Sequence, residues 1–186
     1  GIVALDKDSG SGGTTNKGNT VKIQEMGCPD PNNCSSLTIK GNLSFQQNGG
    51  KGNPDSINNA GTLNVGGGVD LYQYEDTFTN SGIVNITENI GLGSGDDKLV
   101  NSGSLTIGGD LNTKLGDDLV DNSGSLTVNG NLQEAARGKD HSGSCPGNGE
   151  GGVKAMCGTN NSDSIKNSGE FTVTGNIVLG SSREEQ

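Results

Sequence analysis

Apolar residues fall along this chain in short alternating runs that return at a fixed interval. Two and four residues after Gly61, Gly82, Gly103, Gly124 and Gly169 stand the pairs Leu63/Val65, Val84/Ile86, Leu105/Ile107, Leu126/Val128 and Phe171/Val173. Leu37/Ile39 is an earlier copy that lacks the glycine. A second apolar column lies eight residues after the glycine, at Val69, Ile90, Leu111, Leu132 and Ile177, with Leu43 equivalent. A third lies four residues before the next glycine, at Ile57, Phe78, Leu99, Val120 and Ile165. The residues between them are polar, so each run has the period of two that marks a half-buried strand. No stretch keeps a period of 3.6, which leaves no helix in the expected fold.

The glycines at 61, 82, 103 and 124 step by 21 residues, and the last step, from 124 to 169, is 45, one period plus 24. A fixed period of this size is the mark of a solenoid. Three short strands per period, separated by Gly, Asn and Asp corners, predict an all-β chain wound as a three-sided parallel β-helix. The expected coil has about 21 residues and a right-handed sense, and about seven such coils would stack into a rod roughly 34 Å tall at ~4.8 Å per rung. The expected organisation is a single solenoid domain over 1–180, with a loop at 27–35, an insertion at 133–163 and a polar tail at 181–186.

Composition changes this picture little. Only 27% of residues are hydrophobic, 3% are aromatic and Gly occurs 34 times, values that drift toward disordered chains. Disorder would not place aliphatic residues in register. A solenoid needs few per coil, because stacked coils share one narrow core and satisfy each other's backbone groups.

Polar positions repeat as well. Asn59, Asn80, Asn101, Asn122 and Asn167 stand two residues before the glycine, and identical Asn side chains stacked on successive strands are expected to hydrogen-bond along the rod. Asn42, Asn89, Asp110, Asn131 and Asn176 mark a second corner. Six residues before the glycine comes a carboxylate column, Asp55, Asp76, Asp97, Asp118 and Asp163, with Glu75, Asp96 and Asp117 beside three of them. Carboxylates stacked ~5 Å apart repel unless something compensates them. One reading makes each Asp the acceptor of an Asx-turn in its own coil. The other assigns Asp76, Asp96, Asp97, Asp117 and Asp118 to a bound Ca2+, a hard cation that takes several oxygen ligands. Gly93-Ser94-Gly95-Asp96-Asp97 and Leu115-Gly116-Asp117-Asp118 resemble the Gly/Asp-rich corners of calcium-binding toxin repeats, without their nonapeptide period.

The net charge of −10 argues against nucleic acid or an anionic membrane surface as partner. No apolar run reaches the length of a membrane span, so membrane insertion is not expected. Four cysteines stand outside the apolar columns, Cys28, Cys34, Cys145 and Cys157. Their loops leave the rod about five rungs apart, ~24 Å at strand spacing, so local disulfides Cys28–Cys34 and Cys145–Cys157 are expected over cross-links. Zinc is the alternative, at unfavourable spacings and with His141 as the single histidine. Disulfides imply an oxidising, extracellular setting, and a removed signal peptide is one expectation for a chain that begins Gly1-Ile2-Val3-Ala4-Leu5.

The run from Ile90 to Ile107, IGLGSGDDKLVNSGSLTI, is similar to repeats of bacterial β-helical surface proteins, especially autotransporter passenger domains and filamentous adhesins. The likeness covers roughly 35–180 and is one of repeat style. It implies secretion, surface display and a role in adhesion or biofilm, with host or cell-surface glycans or proteins as partners, and it brings no catalytic residues. No enzyme is expected here: the carboxylates form a column and not a cluster, Arg occurs only at 137 and 183, and Trp is absent. Ile2, Val3, Ala4 and Leu5 resemble a second-column strand and match Ile177, Val178 and Leu179 of the last coil. If Ile2 and Ala4 point into a junction between copies, the rod would polymerise head to tail into a filament. A piece of a β-helical adhesin passenger and an ice- or surface-binding solenoid are the alternatives.

Overall fold

The computed structural model describes residues 2–6, 20–24, 35–45, 54–134 and 163–178. In chain order the strands are β1 (Ile2–Asp6), β2 (Thr20–Gln24), β3 (Ser36–Ile39), β4 (Leu43–Ser44), β5 (Ser56–Asn59), β6 (Thr62–Val65), β7 (Val69–Asp70), β8 (Thr77–Asn80), β9 (Ile83–Ile86) and β10 (Ile90–Gly91). They continue with β11 (Lys98–Asn101), β12 (Ser104–Ile107), β13 (Leu111–Lys114), β14 (Leu119–Asn122), β15 (Ser125–Val128), β16 (Leu132–Glu134), β17 (Ser164–Asn167), β18 (Glu170–Val173) and β19 (Ile177–Val178).

From β2 onward every third strand joins the same sheet. One sheet runs β1-β2-β5-β8-β11-β14-β17, a second β3-β6-β9-β12-β15-β18 and a third β4-β7-β10-β13-β16-β19. From β2 onward all pairs are parallel, and through the middle of the rod partners lie 21 residues apart, as in Leu99↔Val120 and Leu105↔Leu126. The chain is therefore a three-sided parallel β-helix, with six coils among the described residues. The ladder continues across the longest step: Asn122 pairs with Asn167, 45 residues on, with the strands in register.

The three apolar columns become the three inner faces. Leu63, Val84, Leu105 and Leu126 are fully buried in one, Ile90, Leu111 and Leu132 in the next, and Ile57, Phe78 and Leu99 in the last. A fourth inward column escaped the periodicity: Phe45, Leu71, Leu92 and Thr113 lie ten residues after the glycine positions of their coils, and all are buried. It hides because the sequence carries polar residues, Thr113 and Glu134, at this position in two coils. Coil stacking also explains the glycine that marks each repeat. A Cβ on Gly103 would collide with the carbonyl oxygen of Gly82, so only glycine lets successive corners approach this closely.

The first strand departs from expectation. β1 pairs antiparallel with β2, with Ala4 opposite Lys22, and so borders the third-column sheet instead of extending the second column. The described strands from β2 onward make up six stacked coils. The reason lies in its sequence: Ile2-Val3-Ala4-Leu5 is an unbroken apolar run, and without alternation neither face nor register is encoded.

Candidate functional site

Two buried polar ladders run the length of the rod at its corners. In the first, Asn59 Nδ2 donates to Asn80 Oδ1 at 2.8 Å, Asn80 to Asn101 at 2.8 Å, Asn101 to Asn122 at 2.8 Å and Asn122 to Asn167 at 2.7 Å. Each amide also reaches backbone: Asn101 Nδ2 lies 3.3 Å from the carbonyl of Gly103 in its own turn and 2.9 Å from that of Ser125 in the next coil. These side chains seal the corner where β5, β8, β11, β14 and β17 turn into the strands that follow them, and all but the last are buried. The expected asparagine ladder is present in full.

The second ladder is built of Asp. Asp76 Oδ1 accepts the backbone N–H of Asp55 at 2.6 Å, Asp97 that of Asp76 at 2.7 Å, Asp118 that of Asp97 at 2.8 Å, and Asp163 that of Asp118 at 2.9 Å. The accepted amide belongs to the coil before, which corrects the expected Asx-turn inside each coil. The column bonds rung to rung because its corner backbone already sits at the strand repeat.

The other carboxylate oxygen carries the unusual chemistry. Oδ2 of Asp76, Asp97 and Asp118 is buried and meets no hydrogen-bond partner. Loss of water around these carboxyls disfavours the charged form and, against the favourable backbone N–H bond, pushes Asp76 and Asp97 from 3.8 up to about 8 and Asp118 up to about 7. Neighbouring carboxylates add to the rise, Asp55 for Asp76 and Asp118 for Asp97. Asp163 is also raised by burial, but a donor opposes it: Thr113 Oγ1 lies 3.2 Å from its Oδ2. One coil earlier the residue in the place of Thr113 is Leu92, which has no hydroxyl to offer Asp118. Replacing Thr113 with Val is therefore expected to cost about 1–2 kcal/mol, the loss of a donor to a buried carboxyl, read as a lower urea midpoint with an unchanged slope. Equal stability of the two proteins would show that the Thr113 hydroxyl is not spent on Asp163.

Calcium does not fit this column. A hard cation needs six to eight oxygens, whereas each coil presents one buried carboxylate whose Oδ1 is engaged by backbone. Among the described residues no group of three or more His, Cys, Asp or Glu side chains is placed to hold a metal ion. Asp96 and Asp117 are exposed, and Asp96 Oδ1 accepts the N–H of Asp117 at 3.0 Å. At the remaining polar corner, Asp110 N–H donates to Asn89 Oδ1 at 2.7 Å and Asn131 N–H to Asp110 Oδ1 at 2.7 Å, a third ladder on the surface.

The expected assembly residues are only partly brought together. β17, β18 and β19 are each the last strand of their sheets, and on that terminal coil Ile165, Ile177 and Val178 are 36%, 54% and 47% exposed. At the opposite end β1, β3 and β4 border the three sheets. Leu179, all four cysteines and His141 lie outside the described residues. No helix among the described residues is long and apolar enough to cross a membrane.

Fold and ladders together define a β-solenoid repeat protein. Compared with known protein families, curated proteins and solved structures, the chain matches none.

Proposed function

We propose that this protein is a structural subunit of an extracellular filament or surface appendage, in which β-solenoid rods stack head to tail to scaffold a cell surface, an adhesion contact or a biofilm. The observation that carries the reading is the terminal coil. It offers three parallel strand edges, β17, β18 and β19, together with Ile165 and Ile177, side chains from the inward columns that stand exposed. Such edges template the addition of further strands. Three edges at the other end, β1, β3 and β4, supply the complement, and a contact between unlike ends propagates without closing. The antiparallel β1 makes one of the three junction pairs an antiparallel one.

The reading is non-catalytic, since the buried carboxylates are committed to rung-to-rung bonds and not gathered in a groove. An extracellular setting rests on the cysteine pattern and on the resemblance to surface-protein repeats. Sedimentation velocity over a concentration series is expected to show elongated species that lengthen with concentration. Ile177→Asp would place an unpaired charge in the junction at a cost of several kcal/mol, yet Ile177 is already 54% exposed in the single rod, so its melting curve should match the parent. A parent chain that stays monomeric at millimolar concentration, or a variant that assembles like it, would contradict the proposal.

A further inference from the structure

The three sides of the rod have unequal numbers of layers. Among the described strands the sheet that contains β2 has seven, and the other two have six each. The seventh is β1, which lies antiparallel on β2 where the neighbouring pairs of the stack are parallel. β2 itself is an ordinary rung: it pairs with β5 as Val21↔Ile57 and Ile23↔Asn59, in the register of the coils beyond. On one side, then, an extra layer of ~4.8 Å stands above the first coil. On the other two sides β3 and β4 border their sheets uncovered.

Burial follows this difference. Val21 and Ile23, with β1 layered on their strand, are 4% and 1% exposed. Leu37, Ile39 and Leu43, the inward residues of β3 and β4, are only partly buried, as are Phe171 and Val173 on the terminal coil. The repeat itself supplies partners for these positions. One further step of the stacking register would lay β18 of a second copy on β3, with Phe171 against Leu37 and Val173 against Ile39. It would lay β19 on β4, with Ile177 against Leu43. The same step lays β17 on β2, with Ile165 against Val21, and that place is held by β1. Seated, β1 offers the incoming β17 an antiparallel first contact, but it holds β18 and β19 ~9.6 Å from β3 and β4, twice the spacing at which strands pair.

We propose that β1 is a displaceable cap: seated on β2 it covers the head of the rod, and β17 of a second copy takes its place, so that all three sheets continue through the junction. The inference rests on the head-to-tail reading and adds a control to it. Displacement exchanges one strand pair on β2 for another, so the ladder there is kept. The gain is the apolar surface of the inward columns, which closes only when the rods meet at one layer's distance. The run Ile2-Val3-Ala4-Leu5 suits an exchangeable strand, because a run without alternation fixes neither face nor register. On the outer surface the same register sets Lys166 against Lys22, both exposed, a repulsion that salt screens.

The test compares the parent with the double variant Val3→Pro, Ala4→Pro. Of two neighbouring strand residues, one N–H faces β2 and the other faces away, so the two prolines disrupt both edges of β1 whichever way it lies. The coils from β2 onward are untouched, and circular dichroism should match the parent. Sedimentation should show the variant assembling at about tenfold lower concentration, since no cap has to leave. Averaged electron micrographs of parent filaments should give a subunit repeat of roughly 29 Å, the height of six layers. Three results would overturn the cap and leave head-to-tail stacking standing. They are a repeat of roughly 34 Å, the seven layers of a junction that keeps β1, loss of filaments in the variant alone, or an unchanged assembly concentration. Parent and variant that both remain single rods would remove the head-to-tail reading and the cap together. Should the prolines unfold the chain, the repeat of the parent filament decides by itself.

Discussion

Raising the pH from about 4 to 9 is expected to lower the melting temperature of this protein steadily up to about pH 8 and little beyond. Asp76 and Asp97 hold their protons in the fold up to about pH 8 and Asp118 up to about pH 7, against 3.8 as the ordinary value. Between those limits the folded chain binds more protons than the unfolded one, so stability falls as pH rises. It is complete below about 3.8 and lost progressively until the folded carboxyls ionise. A single fully shifted carboxyl contributes about 1.4 kcal/mol per pH unit across such a window. Three coupled sites held by backbone N–H groups should together give at least that slope. Asp97→Asn keeps an oxygen for the Asp76 N–H and removes one titrating group, so its stability should fall less steeply. The measurement is urea unfolding at half-unit pH steps. A flat or rising curve between pH 5 and 8 would show that the column is ionised in the fold.

Asn101→Ala is expected to cost about 3 kcal/mol, from several buried polar groups left without their bonds at once. Asn101 Oδ1 accepts from Asn80 at 2.8 Å, and Asn101 Nδ2 donates to Asn122 Oδ1 and to the Ser125 carbonyl at 2.8 and 2.9 Å. Truncation strands the buried amides of Asn80 and Asn122 in the coils on both sides. Asn167→Ala provides the internal comparison. Asn167 is exposed on the terminal coil, accepts from Asn122 and donates to the Gly169 carbonyl at 3.0 Å, and solvent can replace those bonds, so its cost should stay below about 1 kcal/mol. Equal urea midpoints for the two variants would mean that the ladder adds nothing beyond the sheets.

Much of this architecture is legible in the sequence because a repeat states its own register. Leu63, Val84 and Leu105 name an inner face by their spacing, and the 21-residue step that aligns them also predicts which Asn bonds to which. The fourth inward column was not legible, since Thr113 interrupts Phe45, Leu71 and Leu92 and breaks the apolar signal. Nor was the direction of the Asp ladder, because spacing places Asp97 at a corner but says nothing of which coil donates to it. The antiparallel β1 illustrates a third limit: four apolar residues in a row fit any face. Tyr72 and Tyr74 have left-handed backbone, at φ 73° and 84°, and this had a trace in the sequence. Tyr72 and Tyr74 stand 21 residues before Gly93 and Gly95, and a glycine that alternates with tyrosine in one column signals backbone geometry demanding positive φ.

The assembly proposal is tested most directly by electron microscopy of the concentrated parent protein, with helical averaging of any fibres that form. Head-to-tail stacking of the six described coils, with β1 contributing a further layer on one side, predicts unbranched filaments one rod wide. Their β-layers should lie ~4.8 Å apart and the subunit repeat should be roughly 29–34 Å along the axis. Isolated rods at every concentration, or fibrils that show the strand spacing with no subunit repeat, would contradict it.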